Sequence, residues 1–291
     1  MSDVPTGTVW VTGAAGLIGH EVVRQGALGW RLGGVPLSAR PLTRADLDLT
    51  DASAVERLFR GEKPVAVIHC AAMSKSPACQ RDPAAAWRAN HAATVHLAAL
   101  AEGIPFLLMS TDMVFDGRKG NYVETDAVNP LSVYAETKVA AEPAVLANPR
   151  HLVVRTSLTY GRSPGGRSSF NEEMREAWRA GRTLDLFVDE FRSPIPVEAL
   201  TDALWRLLSG GHRGLFHVGG SERLSRLEIG NAVAERLRRE EPALATPIRP
   251  GTLRDYVGAP RSPDTSMDSG KAERVLGIRF PAFRRSMETG R

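Results

Sequence analysis

Cysteine is nearly absent: Cys70 and Cys79 are the only two in 291 residues. Two thiols in a chain of this length build no disulfide framework, and their spacing matches no metal-ligand pattern. Apolar runs approaching the ~20 residues that cross a bilayer are also missing. The opening stretch "MSDVPTGTVWVTG" has neither a basic start nor a long apolar segment, so no secretory signal is read and a cytoplasmic location is expected. No internal repeat, low-complexity tract or nucleic-acid motif occurs, and the arginines are scattered, with Arg236, Arg238 and Arg239 the densest group. These absences argue against a disulfide-stapled secreted module, a membrane protein and a nucleic-acid reader.

What is present is ordinary for a globular enzyme-sized chain. With 43% apolar and 24% charged residues, it can bury a core in one large domain or two smaller ones. The net charge of +4 suits an anionic small molecule such as a dinucleotide or a nucleotide-sugar.

Short apolar runs alternate with helical stretches through the first half. Strands are predicted in "TVWVTG" (8–13), "VPLSARPLT" (35–43), "VAVIHCAA" (65–72), "PFLLMST" (105–111) and "HLVVRTSLTYG" (151–161). Between them "LIGHEVVRQGAL", "ASAVERLFRG", the Ala-rich 84–103 and "SVYAETKVAAEPAVLAN" read as helices, the last kinked or restarted at Pro143. This rhythm implies an α/β fold, a Rossmann-type doubly wound parallel sheet with helices on both faces. After residue 161 the pattern changes. "SPGGRSS" (163–169) reads as a loop and "FNEEMREAWRAG" as a helix, while the helix 197–210 and the strand "GLFHVGG" (214–220) look like a return to the sheet. The expected division is a dinucleotide-binding domain over 1–161, with 195–220 returning to it, and a smaller α/β substrate-binding cap in 162–291 with an interleaved boundary.

"GAAGLIG" places Gly13, Gly16 and Gly19 directly after the first strand, where the next helix opens at Leu17 and Ile18. Glycines there allow a sharp turn and a close backbone approach to a pyrophosphate, which then faces the helix N-terminus. The second strand ends without the carboxylate that would favour a free ribose 2′-hydroxyl; it offers Arg40 and then Arg44 instead. A guanidinium attracts a 2′-phosphate, so NADP(H) is preferred, with NAD(H) the second option. In "DLDLTD", Asp48, with Leu49 beside it, is placed to meet the adenine.

"VYAETK" sets Tyr134 and Lys138 four positions apart, on one face of a helix. The spacing alone fits a catalytic pair and equally two ordinary neighbours on a helix. Taken together, "VTGAAGLIG", "DLDLTD", "VIHCAA", "STDMVFDG", "NPLSVYAETKVAAE", "VVRTSLTYG", "DEFRSPIPVEAL" and "APRSPDTSMDS" run in order along nearly the whole chain. The chain thereby resembles the extended short-chain dehydrogenase/reductases, and within them the dTDP-4-dehydrorhamnose reductase-like branch.

The resemblance implies reduction of a keto group, expected to be the 4-keto group of a nucleotide-activated deoxysugar. Tyr134 would be the acid that protonates the carbonyl oxygen, Lys138 would lower its pKa and hold the nicotinamide ribose, and Thr111 would hydrogen-bond the substrate oxygen. Cys70, Ala71 and Ala72 would lie beneath the dinucleotide, and Arg155 would border the nicotinamide. Ser110, Asp112, Met113, Leu158, Arg192 and Arg261 would line the sugar side, whereas His69 reads as a packed strand residue. Related dehydratases carry Asp-Glu after the threonine; here Asp112 precedes Met113, which takes no proton, so reduction is preferred to water loss. The reductases commonly have tyrosine at the position of Met113 and tryptophan at that of Leu158, and the loss of both removes a stacking surface. The regulatory subunit of methionine adenosyltransferase resembles the same branch, so a dinucleotide-binding scaffold is the alternative, and a nucleotide-sugar epimerase a third reading. A homodimer is compatible with any of them.

Overall fold

The computed structural model describes residues 6–165 and 169–289. Of the expected loop 163–169, residues 166–168 therefore lie outside the described part. The first strand, β1 (Gly7–Thr12), carries Val9, Trp10 and Val11 in succession and is buried on both sides. It sits inside a seven-stranded sheet. Continuing the numbering, β2 is Arg31–Leu32, β3 Val35–Leu42, β4 Ala66–His69, β5 Phe106–Thr111 and β6 Leu152–Thr156. The seventh strand, Gly214–Val218, pairs in parallel with β6 and forms one edge. From that edge the order runs β6, β5, β4, β1, β3, β2. All pairs are parallel except β2–β3, an antiparallel hairpin turned at Gly33 and Gly34 that the sequence pattern did not reveal.

Side chains alternate between the two faces with the period of a strand. Val9, Val11, Ile68, Leu107 and Val154 pack on one face with Leu200, Leu204 and Trp205 of the helix Val197–Ser209. Trp10, Val67, Leu108 and Val153 pack on the other, against the helices that follow β3, β4 and β5. Both faces are thus covered, as a parallel sheet requires. Two helical expectations change in detail. The Ala-rich stretch is helical from Pro83 to Leu100, but Arg88–Ala92 widens into a π-helical turn. Pro143 neither kinks nor restarts its helix, which runs unbroken over Val133–Leu146; it lies in the last turn, where only one backbone bond is forfeited.

The remaining elements form a smaller unit with its own core of Tyr160, Phe170, Trp178, Leu186, Ile229, Leu237 and Phe283. It uses the helices Phe170–Arg179 and Arg226–Glu240, each opened by a serine–glutamate capping box. No helix among the described residues is long and apolar enough to cross a membrane.

Trp205 is fully buried, donates Nε1–H to the Val22 carbonyl at 2.9 Å and stacks on Trp30 with centroids 5.9 Å apart. Trp205→Ala should remove about 3–5 kcal/mol of unfolding free energy, read as a lowered denaturant midpoint at unchanged slope.

Candidate functional site

In a parallel sheet of this kind ligands gather where the strands end at their carboxyl edge, and here that edge collects the glycine turn, Thr111, Ala71 and the start of the Tyr134 helix. Gly13 adopts φ +70°, and a Cβ there would stand 2.7 Å from the backbone nitrogen of Ala71. At Gly19 a Cβ would meet the Gly13 carbonyl at 2.3 Å, so helix Leu17–Gln25 rests directly on the turn. Gly16 caps that helix without a side-chain bond, and no acidic residue occupies its first turn. The leading N–H groups at Leu17 and Ile18, lacking intrahelical partners, therefore face outward at a positive helix end. The sharp turn and the positive helix end suit a dinucleotide pyrophosphate.

The two candidate readers of the cofactor ribose sit differently. Arg40 pairs with Trp10 in the sheet register and turns to Glu62, 3.4 Å away, beside the end of helix Ala52–Glu62. Because that helix runs back against the strands, its last residue marks the amino edge of the sheet, opposite the glycine turn. Arg44 lies just beyond the end of β3, exposed, and forms no ion pair among the described residues. Asp48 is also exposed and accepts from Thr50 N and Oγ1, while Leu49 packs half-buried into the sheet's second core.

At the end of β4, His69 is buried between Thr12 Oγ1 (2.7 Å) and Thr94 Oγ1 (3.0 Å), and burial pulls its pKa down to about 3, so it is a neutral packing residue. Burial pushes the neighbouring Cys70 thiol up to about 12, which makes it unreactive. Ala71 donates its N–H to Thr12 Oγ1 and Ala72 follows it, two small residues next to the glycine turn.

The reacting face comes from β5 and the helix Val133–Leu146. Ser132 caps that helix by accepting from Ala135 N, so Tyr134 stands in its first turn and Lys138 one turn further on. The Thr111 hydroxyl lies near enough to the Tyr134 phenol to favour its ionised form. The same Oγ1 accepts from Met113 N (3.2 Å) and lies 3.3 Å from Asp112 Oδ1. Thr111 and Tyr134 are thus neighbours, and Lys138 follows one turn on along the same helix, nearest to Glu142 and Cys70.

One electrostatic expectation is corrected. Burial raises the Tyr134 pKa above its ordinary value, opposed by Thr111, and Lys138 does not lower it. Lys138 is itself only 2% exposed; desolvation lowers its pKa to about 8, against the pull of Glu142. At neutral pH the pair is a protonated phenol beside a buried ammonium.

Several other predicted residues are engaged elsewhere. Ser110 donates to Glu142 Oε1 at 2.5 Å and Arg155 forks onto the same carboxylate, closest at 2.6 Å, so both sit in a buried knot beneath the helix. Asp112 is buried, accepts from Ser157 Oγ and Thr265 Oγ1 at 2.8 Å each, and lies 3.7 Å from Arg192. Burial pushes its carboxyl up, against the opposing pull of Arg192. Arg192 and Arg261 both pair with buried Glu190, at 2.9 Å and 2.7 Å. Met113 is half-buried in the short turn Asp112–Val114, and Leu158 packs against the core of the smaller unit.

Sequence reasoning missed Asn90. It is fully buried in the π-helical turn and holds Met73 N (2.7 Å), Met73 O and Thr137 Oγ1, tying the loop after β4 to the Tyr134 helix. An asparagine amid the alanines of that helix was the available signal.

Comparison with known proteins shows the family of the chain. The family described as RmlD substrate binding domain matches residues 7–289. Methionine adenosyltransferase 2 subunit beta of Rattus norvegicus is 30% identical over 95% of this chain and 84% of its own length. A protein of Haloferax volcanii named probable low-salt glycan biosynthesis reductase Agl14 is 32% identical over 94% of each chain. Among solved structures, a dTDP-4-dehydrorhamnose reductase from Clostridium acetobutylicum superposes with a TM-score of 0.85 at 26% identity, covering 97% of each chain.

The Lys138 shift gives a stability test. Unfolded, the lysine keeps its ordinary pKa of 10.5, whereas in the fold it releases its proton near pH 8. Between those values the unfolded chain binds the extra proton, so folding gains stability as pH rises. The stability of the protein relative to its Lys138→Met variant should therefore climb from pH 8 to 10; denaturant titrations showing a flat or falling difference would contradict the burial of a charged lysine.

Proposed function

We propose, for a chain that belongs to the RmlD substrate binding domain family, reduction of a keto group with NADPH, most specifically the 4-keto group of a nucleotide-activated deoxysugar. The observation that carries this reading is the placement of Thr111 and Tyr134 as neighbours, with Lys138 one turn on, at the carboxyl edge of the sheet beside a glycine turn suited to a pyrophosphate. When bound, the dinucleotide supplies a hydride to the carbonyl carbon. Tyr134 Oη, kept protonated by burial, gives its proton to the carbonyl oxygen as negative charge develops there. Thr111 Oγ1 exchanges its long bond to Asp112 for that oxygen and fixes its approach. Lys138, a buried cation at neutral pH, holds the ribose hydroxyls. Ala71 and Ala72 leave room beneath the ring, and Arg44 reads the 2′-phosphate.

A second reading is favoured by one observation, the 30% identity to methionine adenosyltransferase 2 subunit beta across nearly the whole chain. A regulatory subunit of that kind would bind NADPH tightly without turnover. The protonated acid and its lysine favour the reductase.

Incubation with NADPH and a panel of dTDP-4-keto sugars separates the readings. NADPH oxidation that falls at least ~100-fold in kcat in Tyr134→Phe is expected. Tight cofactor binding with no oxidation across the panel would favour the regulatory subunit, and a changed sugar configuration without net NADPH consumption an epimerase. For the cofactor, Arg44→Ala should weaken NADPH binding about tenfold or more and leave NADH unchanged, whereas Arg40→Ala should change neither. Equal affinities for both cofactors in the parent protein would overturn the arginine reader.

A further inference from the structure

Two cations and one carboxylate, Lys138, Arg155 and Glu142, are buried where the helix Val133–Leu146 meets the sheet. Arg155 is fixed on every side. Its Nε lies 3.0 Å and 3.2 Å from the two Glu142 oxygens, and its Nη2 2.6 Å from one of them. Nη1 makes a long bond of 3.4 Å to His217 Nε2 on the neighbouring strand. His217 Nδ1 faces the Tyr122 carbonyl, which can only accept, so the imidazole hydrogen sits there and Nε2 is free to accept from the arginine. The Phe115 ring covers the guanidinium, 5.2 Å from centroid to carbon. Ser110 Oγ closes the far side of the carboxylate at 2.5 Å.

Lys138 stands four residues before Glu142, the spacing that puts two side chains on one face of a helix. The other titratable groups around this set bring no negative charge at neutral pH. Burial pushes the Cys70 thiol up to about 12, pulls His69 down to about 3 and His217 to about 4, and raises Tyr134. Among the described residues, Glu142 is the carboxylate whose pull the lysine feels, and Arg155 already grips it. Two buried cations therefore share one anion. A guanidinium keeps its proton under all ordinary conditions, whereas a desolvated ammonium sheds its own. Any change of charge at residue 142 falls on Lys138.

We propose that Glu142 is a positioning residue that acts through Lys138: clamped by Arg155 and Ser110, it keeps the ammonium charged and in place to hold the dinucleotide. Arg155 is its counterweight, since the share of the carboxylate that the guanidinium takes is withheld from the lysine. Removing the acid and removing the arginine should thus move the cofactor hold in opposite directions. The inference rests on the dinucleotide reading of the site, because the ribose hydroxyls are what Lys138 grips.

The test is the affinity of the full chain for NADPH, read by fluorescence at pH 6, 7.5 and 9. The parent protein should lose affinity as the pH passes 8, where Lys138 gives up its proton. Glu142→Gln keeps the shape and removes the charge, so the loss moves to lower pH: affinity close to the parent's at pH 6 and about tenfold weaker at pH 7.5. Arg155→Met leaves the whole carboxylate to the lysine, and should bind NADPH about threefold or more tighter than the parent at pH 9. A side chain that merely propped up the helix would weaken binding by one factor at all three pH values. Matching melting temperatures establish that the variants fold; should Glu142→Gln not fold, the pH dependence of the parent and the upward shift in Arg155→Met carry the comparison. A ratio to the parent that stays constant with pH, shifts of the same sign in both variants, or a parent affinity flat from pH 7.5 to 9 would overturn the assignment. The readings fail separately: NADPH bound with these shifts and no ketone reduced would remove the reductase alone, and NADPH left unbound at every pH would remove both.

Discussion

The geometry of the reacting face depends on one buried carboxylate. Glu142 lies one turn beyond Lys138 and accepts from Ser110 on β5 and from Arg155 on β6. This three-way bond fixes how far the helix Val133–Leu146 is rotated, and with it the direction in which Tyr134 and Lys138 point. It also supplies the negative charge that keeps Lys138 from losing its proton altogether. An ion pair this deep is weak evidence for stability, because burying both partners is expensive, but it specifies one arrangement of helix on sheet. Asn90 adds a second tie, from the same helix at Thr137 to the loop beneath the dinucleotide cradle.

Asp112 does the corresponding work at the seam between the large sheet and the smaller unit. Its carboxylate gathers Ser157 from the end of β6 and Thr265 from the tail, and faces Arg192. Ser157 in turn accepts from Ser193 N, so the segment carrying Arg192 is held against the strand ends. A substrate spanning the seam would place its ketone at Thr111 and Tyr134 and its phosphates toward the arginines. Where a dehydratase needs a carboxyl pair exposed to its substrate, this chain has one buried carboxyl and a methionine, which suits proton donation by a phenol.

Legibility in the sequence followed the range of the interactions. The glycine turn, the Tyr134–Lys138 spacing and the strand rhythm are local patterns, and the structure places them together at one edge of a parallel sheet. Arg40 and Arg44 could not be separated in advance, because the choice depends on Glu62, twenty-two residues away on a helix that returns along the strand. Ser110 and Arg155 read as site residues by adjacency, yet their partner Glu142 is a long-range neighbour. The hairpin at Gly33–Gly34 was hidden by a strand of only two residues. Lys138 was expected to act on the phenol; it is coupled instead to Glu142 and Cys70, an environment that forms only in the folded chain.

The most direct measurement is a crystal structure of the protein with NADP+ bound. The account places the nicotinamide over Ala71 and Ala72, the ribose within hydrogen-bond reach of Lys138 Nζ, and Tyr134 Oη about 3–3.5 Å from where a carbonyl oxygen would meet the ring. A dinucleotide seated in the glycine turn with Tyr134 directed away from the nicotinamide, still held there when a nucleoside diphosphate is added, would contradict it.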